Sequence, residues 1–352
     1  MMISLSQNMK LLPPIMFHLV LFISCFYFGR AIDCGGKQVA NTIIVDQRRK
    51  GAFQTIQAAI DSIKDPNNRW IMVKINPGIY KEKVLIPYTK SCIILKGSGR
   101  NNTIITNNKS FHEGGQSMSA TFQSSPPNVV LSDITFKNTF GYDGPAVAAS
   151  IYGDKTAIFK CSFIGYQDTL LSATGRQYFK NCYIQGEVDF ICGDGQSYFE
   201  NCVMHATQEK SRPPGFVTAQ HRDKPNEPSG YVFRGGAIVG NGRVNLGRPW
   251  GPYAKVIFWG TYFSSVVTPQ AGPFLTIWRP CRACPQGWTA WNDSMISQEQ
   301  KTTFAEVNCR GPGADTKERV KWEKKPKDLN LKEYTLSSFI NNDGWLANIP
   351  SI

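Results

Sequence analysis

Five stretches of the chain repeat one arrangement of apolar and polar positions. They are "DITFKNTF" (133–140), "AIFKCSFIG" (157–165), "QYFKNCYIQG" (177–186), "SYFENCVMHA" (197–206) and "YVFRGGAIVG" (231–240). Each sets an aromatic residue before one or two polar or small residues, then continues in an alternating apolar tail. Phe136, Phe159, Phe179 and Phe199 recur at intervals of 23, 20 and 20 residues. A period of about 20–30 residues made of strands and turns marks a solenoid. The leucine–asparagine frame of a leucine-rich repeat is absent. The pattern therefore predicts an all-β fold, a parallel β-helix in which equivalent residues stack from coil to coil.

A stack of strands needs covered ends, because an open end exposes strand edges. "FQTIQAAIDSI" (53–63) puts Phe53, Ile56, Ile60 and Ile63 on one helical face. It precedes "WIMVKINPG" (70–78), read as the first strand, and predicts a short N-terminal capping helix. The C-terminal "EYTLSSFINNDGWL" (333–346) is expected to pack along the outside of the coils. Ahead of all this, "IMFHLVLFISCFYF" (15–28) is an apolar run with Lys10 before it and "GRA" (29–31) after it. That is the layout of a signal peptide cleaved near Ala31. A membrane anchor is the alternative, but the run falls short of the about 20 residues a spanning helix needs. Residues 32–352 then form one domain, secreted and not held at a membrane.

The charge balance narrows the partners. The chain carries +13, and +11 without residues 1–31, which hold Lys10 and Arg30 and no acid. A secreted protein of that charge is drawn to polyanions. No nucleic-acid motif is present, so an acidic polysaccharide or an anionic surface is the partner expected. Solubility alone is the plainer account of the charge. Sequons at Asn101, Asn108 and Asn292 fit a secretory route. Nine cysteines remain beyond Cys25, so at least one is unpaired within the chain. "CRAC" (281–284) has metal-like spacing, but no histidine lies downstream, and no metal site is expected.

Two carboxylates interrupt otherwise apolar segments. Cys161 and Cys182 occupy the same place in successive repeats; Asp168 in "GYQDTL" and Asp189 in "GEVDFI" each follow by seven residues. Adjacent parallel strands lie about 4.8 Å apart, so the two should be close neighbours. Such carboxylates do not both ionise readily: one pKa should rise while the other stays low. That suits an acid–base group beside a nucleophile. Turn capping by both aspartates is the bland alternative. Gln167 adds an amide beside Asp168, and "LGRPW" (246–250) supplies Arg248, able to hold a carboxylate ionised, and Trp250, able to stack on a sugar face. Glu209 follows Phe199 as Asp189 follows Phe179, but "ATQEKSRPP" reads as a solvated loop.

At these residues the chain resembles the pectinesterases, the pectin methylesterases of plant cell walls. The resemblance rests on "FQTIQAAID", "GIYKE", "SATF", "DITFKNT", "GYQDTL", "GEVDFI", "VTAQ", "LGRPW" and "FINNDGWL", in family order across nearly all of residues 32–352. It implies a right-handed parallel β-helix that uses no cofactor and no metal, and hydrolysis of galacturonate methyl esters. It also implies Asp189 as nucleophile, Asp168 as proton donor, Gln167 as oxyanion donor, and Arg248, Trp250 and Phe190 as substrate-binding residues. Pectin as substrate, pectinesterase inhibitor proteins as partners, a monomer and the cell wall follow from the same likeness.

The chain also departs from that family. "PAVA" (145–148) places Pro145 where the family has a second oxyanion glutamine, and proline offers no side-chain donor and no N–H. Cys192 replaces the usual phenylalanine after "VDFI", and Leu171 stands where an aromatic often follows "QDTL". Gln167 and Gln220 are amides in the matching segments that could compensate for Pro145. A weakly catalytic pectin-binding protein and a polygalacturonase-like hydrolase are the alternatives to an active esterase. The hydrolase also needs two carboxylates, but has no use for an oxyanion donor.

Overall fold

Each coil contributes one strand to each of three sheets. The computed structural model describes residues 33–207, 213–268, 275–276, 279–280, 288 and 301–352. The apolar run 15–28, Glu209, "CRAC" and the Asn292 sequon lie outside the described residues. Three parallel sheets of ten, eight and seven strands keep strict sequence order, the topology of a right-handed parallel β-helix. Thr156–Phe159, for example, pairs with Arg176–Lys180, which pairs with Gln196–Glu200.

The interior is a ladder of identical rungs. Phe179, Phe199, Phe233 and Phe258 are in register on the ten-stranded sheet. Their rings stack at 4.5 Å centroid spacing within 15° of parallel, close to the strand separation itself. Phe159 is not a rung. Its register partner is Lys180, and Ile158 takes the inward place beside Phe179. Phe136 belongs to the eight-stranded sheet, where it stacks on Phe163 at 5.5 Å. The even spacing of phenylalanines in sequence thus mixes two sheets and both faces, because a one-residue shift in a strand reverses the side chain's direction.

The coil corners explain the cysteines. Lys160, Asn181 and Asn201 take left-handed φ of 52°, 56° and 51°, and Cys161, Cys182 and Cys202 follow them as buried free thiols. Two of these thiols donate weakly to interior carbonyls, Cys182 to Ile158 and Cys202 to Phe179, both at 3.6 Å. Cys34 and Cys92 form a disulfide.

The capping helix exists but is shorter than its apolar pattern. α1 spans Ile56–Asp61, with Thr55 as N-cap accepting from the Ala58 N–H at 3.2 Å. Both carboxylate oxygens of Glu82 accept from its first N–H groups, Ile56 and Gln57, at 2.9 Å, satisfying donors no helix can pair internally. Ile56, Ala59 and Ile60 are fully buried. A strand, Asn41–Val45, precedes the helix, so Ile71–Ile75 is the second strand and not the first. At the other end α2 (Leu336–Phe339) and its flanks lay Tyr334, Phe339, Ile340 and Trp345 against Tyr178, Tyr198, Val232 and Ile257 on the outer face of the ten-stranded sheet. Asp343 fastens this segment to Lys155 and Arg176, each at 3.0 Å.

Candidate active site

Asp168 and Asp189 each stand two residues before a strand of the seven-stranded sheet, Leu170–Ser172 and Ile191–Gly193. Leu170 is in register with Ile191, and Gln167 bridges Val188. The carboxylates therefore occupy one column on adjacent coils. Both residues take left-handed φ, 57° and 50°, which short polar side chains tolerate better than others. Turn geometry and proximity are the same fact here: the corner that needs an aspartate-like residue on each coil puts two of them side by side. Both are nearly buried, at 7% and 3% exposure.

Their partners differ. Arg248 holds Asp189 with both arms of its guanidinium, Nε to Oδ1 at 2.9 Å and Nη2 to Oδ2 at 2.5 Å. The other face of that guanidinium lies 4.5 Å from the centroid of the Phe216 ring. Asp168 has no ion pair among the described residues; its Oδ2 accepts a hydrogen bond from Gln116 Nε2. Burial and the neighbouring Asp189 charge raise the Asp168 pKa to about 7, against smaller pulls from Gln116 and Arg248. Asp189 is also shifted upward, by burial, with Arg248 opposing. The sequence expectation that one carboxyl stays low is therefore not met. A bidentate guanidinium on one member favours its ionised form, and the other member has no such partner among the described residues.

The other expected residues divide. Gln167 is half-buried and its side chain makes no hydrogen bond among the described residues, while its carbonyl accepts from Ala146. Trp250 is 36% exposed and meets the ring of His221 edge-on at 5.2 Å. Phe190 is not a surface contact. It is fully buried in the interior core, because the chain turns at Asp189 and sends the next side chain inward. Its Cβ occupies the space above Gly186, where any added Cβ would lie 2.2 Å away. Leu171, Cys192 and Ala219 are in register on the opposite face from the core and pack with Ala120 and Val147, a small apolar floor beside the carboxylates. Gln220 cannot compensate for Pro145. It is fully buried, donates to the His221 carbonyl at 2.5 Å and to Ser229 Oγ at 3.2 Å, and accepts from the Lys255 N–H at 2.7 Å.

Two site residues escape a reading of the sequence. Phe216 occupies the coil position after Asp189, as the Phe190 N–H to Phe216 carbonyl bond of 3.3 Å marks, but a phenylalanine in "GFVTAQ" looks like any other core aromatic. Gln116 lies three residues ahead of "SATF" in a loop outside the repeat, and no spacing connects it to the aspartates. Among the described residues no His, Cys, Asp or Glu side chains gather as a metal site.

Comparisons with known proteins identify the family and the fold. The sequence profile of the family described as "Pectinesterase" matches residues 42–343. "Probable pectinesterase 29" of Arabidopsis thaliana is 37% identical over 320 residues, covering 88% of this chain and 89% of that protein. "Probable pectinesterase 55" of the same plant is 37% identical over 340 residues, covering 93% and 96%. Among solved structures, the pectin methylesterase from carrot superposes with a TM-score of 0.79 at 29% identity, covering 88% of this chain and 96% of its own.

Proposed function

The chain belongs to the pectinesterase family and hydrolyses the methyl esters of galacturonate units in pectin; from that premise we propose that Asp189 is its nucleophile and Asp168 its acid–base group. The observation that carries these roles is the unequal pairing of two neighbouring buried carboxyls, one gripped by Arg248 and one not. Ionised Asp189 attacks the ester carbonyl, and the Gln167 amide donates to the oxyanion of the tetrahedral intermediate. Asp168, protonated near neutral pH, gives its proton to the departing methoxide. The acyl-enzyme is an anhydride of Asp189. Asp168 then takes a proton from water, which hydrolyses that anhydride and frees the substrate carboxylate. Asp189 leaves the anhydride as a carboxylate, which the Arg248 guanidinium stabilises.

Trp250, exposed beside the site, is the residue we assign to the polysaccharide chain. The positive charge of the protein suits a product more anionic than the substrate. Residues 1–31 are read as a secretion signal, Asn101 and Asn108, both exposed, as acceptors of N-linked sugar, and the cell wall as the destination. A monomer, with pectinesterase inhibitor proteins as partners, completes the reading. The direct test is methanol release from highly methylated pectin by the secreted, purified protein and by Asp189→Asn. The wild type should release methanol with no new reducing ends, and Asp189→Asn should be inactive yet folded. Turnover by Asp189→Asn near the wild-type rate would sink the assignment.

A further inference from the structure

Pro145 has no side-chain amide where the resemblance to pectinesterases implies one, and a glutamine from elsewhere in the chain reaches Asp168. Gln116 sits at the start of a short 3-10 turn, Ser117–Ser119. Its Nε2 donates to Asp168 Oδ2 and lies 3.7 Å from Cys192 Sγ. The loop that carries it is fastened to the segment containing the proline. The Phe111 N–H donates to the Pro145 carbonyl at 3.0 Å, and the Phe111 ring lies against Gly144, whose φ is 126° and where a Cβ would come within 2.5 Å of the ring. Asn138, buried, donates to the carbonyls of Lys109 at 2.8 Å and of Ser119 and Val147 at 3.1 Å. Ser119 Oγ accepts from the Val147 N–H at 3.1 Å. Ser117 Oγ meets the Tyr152 hydroxyl at 2.5 Å. Both ends of the loop are thus held on the 144–147 edge, and the Gln116 side chain projects from that edge onto the acid–base carboxyl.

We propose that Gln116 is a catalytic residue: the second amide donor of the reaction centre, replacing the side chain that Pro145 cannot provide. The proposal rests on the roles assigned above to Asp168 and Asp189. In the resting enzyme the amide donates to Oδ2 of Asp168, which steers the acidic proton to Oδ1, free to meet the leaving group. When Asp189 adds to the ester, the oxyanion forms between the two carboxyls, and the amide shifts to it by side-chain rotation alone. Oxyanion contacts of this kind carry about 10²–10³ in rate. Because the contact strengthens only as charge develops, it acts on kcat and not on KM.

The test uses four secreted full-length enzymes: wild type, Gln116→Met, Pro145→Gln and the double variant, each assayed for methanol release across pH and for thermal unfolding. Methionine keeps the length of Gln116 and removes the donor. Gln116→Met should lose about 10²-fold in kcat with KM nearly unchanged. The groups that face Asp168 are Asp189, Arg248, Cys192 and Gln116; with the last of these removed, the alkaline limb of the rate profile should move to higher pH, because the lost hydrogen bond favoured the ionised form. Adding Pro145→Gln should restore at least tenfold of kcat to the Gln116→Met enzyme. A Gln116→Met enzyme with wild-type kcat and an unmoved limb overturns the proposal, as does equal kcat in Gln116→Met and the double variant. Absence of wild-type methanol release would instead overturn the roles of the two aspartates, so the two failures are distinct. Should Gln116→Met unfold early, Gln116→Leu, which fills much of the same space and cannot donate at any pH, must show the same kcat loss, and normal turnover by it overturns the proposal.

Discussion

Arg248 grips both oxygens of Asp189 while stacking on Phe216, so one guanidinium joins a carboxylate on one coil to an aromatic ring on the next. The pair is asymmetric in exposure, with 4% of the Asp189 side chain and 23% of the Arg248 side chain open to solvent. Removing the cation leaves a buried carboxyl with no partner of opposite charge, and such a group protonates rather than stay ionised. Arg248→Met should therefore lower kcat/KM by about 10²–10³ and move the acid limb of its pH profile upward, since Asp189 must be ionised to attack. Arg248→Lys keeps the charge and loses the fork, and should fall between. An acid limb at the wild-type position in Arg248→Met would show that Arg248 does not govern Asp189.

Phe216 is expected to act through Arg248. Phe216→Ala removes the ring beneath the guanidinium and should move the acid limb in the same direction as Arg248→Met, by less, with kcat down about tenfold. Truncating a buried phenylalanine also costs about 3–5 kcal/mol, so thermal unfolding must be measured alongside. A lowered unfolding temperature with an unmoved limb would reduce Phe216 to a core residue.

Asp168 links activity to stability. Its pKa in the folded protein is about 7, raised from 3.8 by burial and by Asp189. A carboxyl raised on folding stabilises the native state fully below the unfolded pKa, and this contribution is lost as pH rises through about 7. The wild type should therefore lose unfolding temperature between pH 5 and pH 8 to a greater extent than Asp168→Asn, which cannot ionise. Asp168→Asn should also be nearly inactive, since methoxide would leave without a proton. Parallel stability curves for the two proteins would contradict the raised pKa.

The register of the interior separates what the chain announces from what it conceals. Cys161 and Cys182 mark equivalent corners, and counting seven residues from each was enough to pair the two aspartates, because corners repeat faithfully even where strands vary. The phenylalanine intervals give the coil period but not the register, since a coil has three strands and each can carry an inward aromatic; Phe159 matches the period but points away from the ladder. Phe190 misled for a related reason, as flanking residues of a left-handed corner face opposite ways. Phe216 and Gln116 escape the count because Phe216 follows Cys202 by fourteen residues where Asp189 follows Cys182 by seven, and Gln116 comes from a loop, so only tertiary contact brings them to the carboxyls. The proline at 145 is legible in the sequence; the contact between Gln116 and Asp168 is not.

Comparing two phenylalanines checks that register. Phe199 is 1% exposed and stacked on both sides, by Phe179 and Phe233. Phe199→Ala should cost about 3–5 kcal/mol. Phe159, half-buried on the outer face, touches Tyr178 edge-on at 6.0 Å, and Phe159→Ala should cost less than half as much. Equal losses of unfolding temperature would mean that Phe159 belongs to the ladder after all.

Trp250 tests whether binding and chemistry are separable in this site. Its backbone N–H is fixed to the Gln220 carbonyl at 3.0 Å, and its ring is braced edge-on by His221, whose Nδ1 lies 2.9 Å from Asp194 Oδ1 and whose Nε2 lies 3.3 Å from Asp223 Oδ1. The indole is thus held rigidly while more than a third of it stays exposed. A preset aromatic platform loses little conformational freedom on binding, so its contact with a sugar is retained as affinity. The side-chain partners of the two carboxyls are Gln116 and Arg248, which assigns the indole to the chain and not to the proton transfers. A group that holds ground state and transition state alike changes KM and spares kcat. Trp250→Ala should therefore raise KM for methylated pectin about tenfold with kcat within threefold of wild type, and Trp250→Phe, which keeps a ring, should recover most of the loss. The same variant should shift binding of a de-esterified oligogalacturonate, a ligand with no ester to hydrolyse, by a similar factor. If kcat fell instead while oligogalacturonate affinity held, the indole would be positioning the reacting ester and not the chain that carries it.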